Sequence, residues 1–178
     1  MGLQTFYLGD LHPGSWHEIF VFCLQYADSF SVRLLTSDEI KSEGFCKLFS
    51  LPDVTITNWW GTKDGIEIKG PLTEEVRNLL YELQEPAFYG ECPELWDLKL
   101  FSQGREMLSI DDFTRRLIHL TDEEIDYLMA QDIDVSDWES IATTFTEGEA
   151  AEEQELDEEV LREIAGIISH WLNSDKKH

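Results

Sequence analysis

Ser15-Trp16-His17-Glu18-Ile19-Phe20-Val21-Phe22-Cys23-Leu24-Gln25-Tyr26-Ala27-Asp28-Ser29-Phe30-Ser31-Val32-Arg33-Leu34-Leu35 supports two incompatible structures, and the choice between them decides the fold. As a helix, Ser15 caps, Glu18 completes a capping box, and Trp16, Ile19, Phe20, Cys23, Leu24 and Ala27 recur at helical spacing. As a strand, residues 19–26 are dense in aromatic and β-branched side chains, turn at Ala27-Asp28-Ser29 and return through Phe30 to Leu35. The density of Phe and Val and the short polar break favour the hairpin.

Working outward, Thr5 to Leu8 reads as a first strand, closed by Gly9-Asp10 and Pro13-Gly14. Downstream, residues 37–49 suggest a short irregular helix interrupted at Gly44. Val54 to Thr57 and Ile66-Glu67-Ile68 alternate around turn residues as a second hairpin. Pro71 and Thr73 open a helix whose Val76, Leu79, Leu80 and Leu83 form a stripe suited to lying on a sheet. Residues 86–93 read as a loop. Trp96 to Phe101 and Glu106 to Ile110 form a third hairpin about Ser102-Gln103-Gly104.

A helical turn is expected near Asp111-Asp112, with Phe113 and Leu117 facing inward. Thr121-Asp122-Glu123-Glu124 has the form of a capping box, with Leu120 and Ile125 placed for a hydrophobic staple. Ser136-x-x-Glu139 is expected to cap another short helix bearing Trp138, Ile141 and Phe145. The expected architecture is α+β: antiparallel β-hairpins form a sheet packed by several helices. Residues 1–145 make a single domain, 146–156 an acidic linker, and 157–178 a C-terminal amphipathic helix. Val160, Leu161, Ile164, Ile167, Ile168, Trp171 and Leu172 give that helix one apolar face, expected to dock on the domain or to serve a homodimer.

Within 178 residues the formal net charge is −24, and the stretch from Leu117 to Leu161 contains neither Lys nor Arg. Such a field repels phosphates, which argues against direct nucleic-acid binding, and it speeds association with basic partners. The plainer reading is that the acidity keeps the molecule dissolved. Six Trp and 12% aromatic content support a packed core. Cys23, Cys46 and Cys92 lie far apart without a Cys-x-x-Cys, so neither a disulfide framework nor a zinc knuckle is indicated. No signal-peptide pattern and no stretch near the roughly 18 apolar residues of a membrane span occurs, so a cytoplasmic location is expected.

No catalytic, cofactor-binding or metal-ligating residue is assigned by any specific motif. The residues expected to meet a partner are Trp60, as an outward aromatic anchor beside a turn, and the acids Asp132, Asp134, Asp137 and Glu139. Gly9-Asp10-Leu11-His12 resembles the opening Gly-Asp-x-His motif of metallophosphoesterases, which implies Asp10 and His12 as metal ligands, with His17 a further candidate. The Gly-Asp-x-x-Asp-Arg-Gly and Gly-Asn-His-Glu segments of that family are absent. Asp132-x-Asp134-x-Ser136 starts like a calcium loop, but Asp137 stands where the sharp turn requires Gly. A Cys92 and His119 nucleophile pair has no local pattern behind it. Phe30 to Thr36 is similar to hairpins in some bacterial immunity proteins. The functional expectation is therefore a small acidic binding or inhibitor protein, immunity- or antitoxin-like, acting on a basic protein. A metal-dependent hydrolase and a DNA-mimicking inhibitor are the alternatives.

Overall fold

The computed structural model describes residues 2–9, 11–35, 42–59, 62, 65–113, 115–141, 162, 164–166 and 169. Eight strands lie among them: β1 (Leu3–Tyr7), β2 (Ser29–Leu35), β3 (Thr55–Asn58), β4 (Gly65–Pro71), β5 (Leu98–Ser102), β6 (Arg105–Asp111), β7 (Arg115–Thr121) and β8 (Glu139–Ile141). They form one sheet in the order β3-β4-β2-β5-β6-β7-β1-β8, and every adjacent pair is antiparallel. Among the described residues the helices α1 (Pro13–Tyr26), α2 (Glu43–Ser50), α3 (Glu74–Gln84) and α4 (Asp122–Ala130) accompany it, with a 3-10 turn at Glu85–Tyr89, and residues 162, 164–166 and 169 are helical as well. The class is α+β.

The hairpin expected from residues 19–35 is not formed. Its first half is helix α1, capped by His12, whose Nδ1 accepts from the Gly14 amide at 3.1 Å, with Pro13 in the first turn. Proline suits that position because its fixed φ is helical and its missing N–H would be unpaired there anyway. Trp16, Ile19, Phe20, Phe22, Cys23 and Leu24 are all buried. A helix buried on several sides loses the polar face that makes helical periodicity visible, so its composition imitates a buried strand. Strand β2 pairs instead with β4 on one side and β5 on the other.

Two smaller expectations also give way. After β6 the chain turns at Asp112 and Phe113, both at positive φ, and runs directly into β7. Leu117 is therefore a strand residue opposite Ser109 rather than part of a helix. Glu139 opens edge strand β8 rather than a helix, because β1 offers it a free edge. The hairpins β3-β4 and β5-β6 form as expected, and so do α3 and α4, capped by Thr73 and Thr121. Gly44 lies inside the first turn of α2, where Ser42 caps, and does not interrupt it.

The core lies on one face of the sheet. Phe6, Phe30, Val32, Leu34, Ile66, Ile68, Leu98, Leu100, Leu108, Ile110, Ile118 and Leu120 share one cluster with the buried side chains of the helices. Each such side chain contributes roughly 1.5–3 kcal/mol on burial. Ile164 is buried in that cluster as well. The other face carries polar residues, among them Ser31, Arg33, Glu67, Lys69, Lys99 and His119, at the alternate strand positions.

Candidate functional site

Helix α4 gathers carboxylates for a local reason. Thr121 Oγ1 accepts from the Glu124 amide at 3.3 Å and Glu124 Oε2 accepts from the Thr121 amide at 2.7 Å, a complete capping box. Acids in the first turn face the positive end of the helix dipole. Glu124 is further occupied by Arg105, whose Nη2 donates to Oε1 at 2.6 Å, while the same guanidinium donates to the His119 carbonyl. Asp122 accepts from the Gly2 amide and from Gln4. Glu123 and Asp126 are exposed on the same helix.

Beside these carboxylates stands an aromatic group assembled from two helices. Tyr26 and Tyr127 are 43% and 42% exposed, with ring centroids 5.4 Å apart. Phe22 lies beneath them, 4.7 Å from Tyr26 and 5.8 Å from Tyr127. A hydrogen bond with Tyr127 pushes the Tyr26 phenol up from its ordinary pKa. Phe22, Tyr26, Arg105, Glu123, Glu124 and Tyr127 line a cleft of about 600 Å³.

The chain then carries the sequence-expected acids onward. Asp132, Asp134, Asp137 and Glu139 are all exposed, the first three in the connection after α4 and the last on β8. Asp134 Oδ1 accepts from the Ser136 amide at 2.9 Å, and hydrogen bonds from Ser136 hold its carboxyl below the usual range. Asp137 and Glu139 flank Trp138 around a small cavity of about 160 Å³ shared with Tyr7, Leu8 and Leu11. Trp138 anchors the segment, meeting Phe6 edge-on at 5.7 Å. The remaining expected residue, Trp60, lies outside the described residues. Its neighbour Trp59 does not enter the core but packs against Trp96 with ring centroids 5.8 Å apart.

The other sequence candidates have structural employment. His12 caps α1, and His17 Nε2 is 3.0 Å from the Tyr81 hydroxyl with its ring against Phe88. Asp10 lies outside the described residues. His119 is buried in β7, with Nδ1 at 2.8 Å from Thr5 Oγ1 and Nε2 at 3.5 Å from Glu106, whereas Cys92 is exposed after the 3-10 turn. Asp132 adopts φ 62° and Asp134 is turned back on Ser136. Among the described residues no helix is long and apolar enough to cross a membrane.

The acids singled out from the sequence are exposed, and the Tyr26-Tyr127 pair was not among the expected residues. Tyr26 is the last residue of α1 whereas Tyr127 lies inside α4, and nothing in the chain indicates that the two rings meet. Neither a family model, nor a curated protein, nor a solved structure matches this chain. The functional reading accordingly rests on geometry and charge.

Proposed function

We propose that this protein is a small acidic binding or inhibitor protein whose α4-to-β8 surface engages a basic protein partner. The observation that carries the reading is the exposed Tyr26-Tyr127 pair in a cleft shared with Glu123 and Glu124. Exposed carboxylates alone serve solubility, but aromatic rings left in water beside them match lysine and arginine side chains, through cation–π contact and charge-assisted hydrogen bonds. The exposed run Asp126, Asp132, Asp134, Asp137 and Glu139 extends the negative surface and would steer a cationic partner at low ionic strength. The linker expected over 146–156 and most of the segment 157–178 lie outside the described residues; within that segment Ile164 is buried in the core cluster, which supports a C-terminal helix docked on the domain.

A metal-dependent hydrolase at Asp10, His12 and His17 gains no support from histidines already engaged as a cap and as a partner of Tyr81. To test the binding reading, the immobilised full chain is incubated at low salt with lysate from its own cell. The expected result is capture of a strongly basic polypeptide, released by raised salt and lost from the paired variant Tyr127→Ala, Glu123→Gln. Equal capture by that variant, or no basic polypeptide, overturns it.

A further inference from the structure

The polar face of the sheet holds a charge imbalance at one point. Asp97 precedes β5 and sits opposite Arg33, whose amide donates to the Asp97 carbonyl at 3.2 Å. It is only 5% exposed, and its Oδ1 is buried without a hydrogen-bond partner. A buried carboxylate oxygen left unpaired is costly and uncommon. Two cations lie within electrostatic reach, Arg33 and Lys99, and two further anions, Asp111 and Glu67. Both cations are committed elsewhere: Arg33 Nε donates to Glu67 at 3.0 Å and Lys99 Nζ donates to Glu106 at 2.8 Å. Lys69 also serves Glu67, at 2.9 Å. Asp97 is left short of positive charge.

Trp96, the residue before Asp97, is the middle of a row of three rings. Trp59 and Trp96 are 5.8 Å apart, Trp96 and Phe113 are 6.4 Å apart, and all three are half-buried. The Arg33 guanidinium already lies over Trp59, 5.5 Å from its centroid. A guanidinium can pack on this row and hydrogen-bond to a carboxylate at once, because it is planar and carries its donors in a fixed fork, which an ammonium does not. The terminal torsion of Asp is broad, and rotation about it is what would bring the unpaired oxygen toward an incoming donor.

We infer that Asp97 and the Trp59-Trp96-Phe113 row form a socket for an arginine side chain of a protein partner. The inference rests on the basic-partner reading above and adds to it a second anchoring point, on a different face from the α4 cleft. It assigns Asp97 a use for the charge it keeps unpaired.

The test titrates the full chain with nona-arginine and nona-lysine peptides, followed by tryptophan fluorescence and calorimetry. Asp97→Asn preserves size and removes the charge. A second variant, Asp132→Asn, Asp134→Asn, Asp137→Asn, Glu139→Gln, removes remote acidity only. The expected result is saturable nona-arginine binding with a tryptophan signal, weakened at least tenfold by Asp97→Asn. The four-acid variant should weaken it less and only at low salt, and nona-lysine should bind more weakly than nona-arginine. Equal binding by Asp97→Asn and the unaltered protein, or no nona-arginine binding at all, overturns the socket. Equal binding together with basic-protein capture that still depends on Tyr127 and Glu123 removes the socket and leaves the basic-partner reading standing.

Discussion

Arg105 Nη2 and Glu124 Oε1 lie 2.6 Å apart and join the start of β6 to the first turn of α4. Since Arg105 also donates to the His119 carbonyl on β7, one cation ties the acidic helix to two strands of the sheet. Both side chains are mostly buried, so removing one leaves the other poorly solvated. Arg105→Ala should lower unfolding stability by about 2 kcal/mol, and Thr121→Ala by about 1 kcal/mol through loss of the cap. Urea denaturation checks both, and a loss from Thr121→Ala equal to or larger than that from Arg105→Ala would refute the ranking.

Glu106 supplies an acid-sensitive contribution. Burial raises its pKa, but hydrogen bonds from His119 and Lys99 outweigh that and bring it from 4.5 to about 2. A carboxyl whose folded pKa is depressed stabilises fully above its unfolded value. That contribution, up to about 3 kcal/mol, is lost as pH falls from 4.5 toward 2. Comparing Glu106→Gln with the unaltered protein between pH 7 and 2 should show a stability gap that closes across that window. A gap constant down to pH 2 would contradict it.

Asp97 has the opposite sign. Burial first, with Asp111 and Glu67 adding to it against Arg33 and Lys99, raises its pKa from 3.8 to about 6. Ionising it therefore costs stability, and the cost grows from pH 3.8 and is complete above pH 6. Asp97→Asn should be more stable by up to about 3 kcal/mol at pH 8 and indistinguishable below pH 3.8. Thermal unfolding at the two pH values decides, and destabilisation at pH 8 would rule this out.

The thiols should divide by burial. Burial pushes Cys23 far above the ordinary thiol pKa, and Cys46 is raised by the same cause. Cys92 is exposed. In the folded protein Cys92 alone should react rapidly with a chromogenic disulfide reagent, because the thiolate is the reactive form. Fast modification of Cys23 without denaturant would show that α1 is not packed as described.

Leu108 is fully buried on a central strand, between Leu100 of β5 and Ile118 of β7. Leu108→Ala should cost about 3 kcal/mol, the lost transfer energy plus a cavity. A cost under about 1 kcal/mol, read from the denaturation midpoint, would mean the sheet face is not closed over it.

Elements with a local physical signature were legible in the chain. The α3 stripe, the Thr121 box, and the hairpins around Gly65 and Gly104 follow from capping chemistry, periodicity and turn residues, each acting within a few positions. Helix α1 does not read as a helix because burial on several sides removes the polar face that distinguishes a helix from a strand. Strand β7 is not legible because Arg115 and Arg116 open it and Leu117 lies on the polar face, which breaks the alternation a strand would show. Strand β8 forms only because β1 presents an edge.

Composition and sequence order alone established a strongly negative chain with a cation-free stretch, an α+β content and the capped start of α4, since charge and capping are properties of neighbouring residues. Only the tertiary structure decided that Tyr26 meets Tyr127 beside Glu123, and that Asp97 lies among cations already bound to other carboxylates. Those relations arise from strand order and helix docking, which bring together residues distant in sequence through the burial of one shared apolar face.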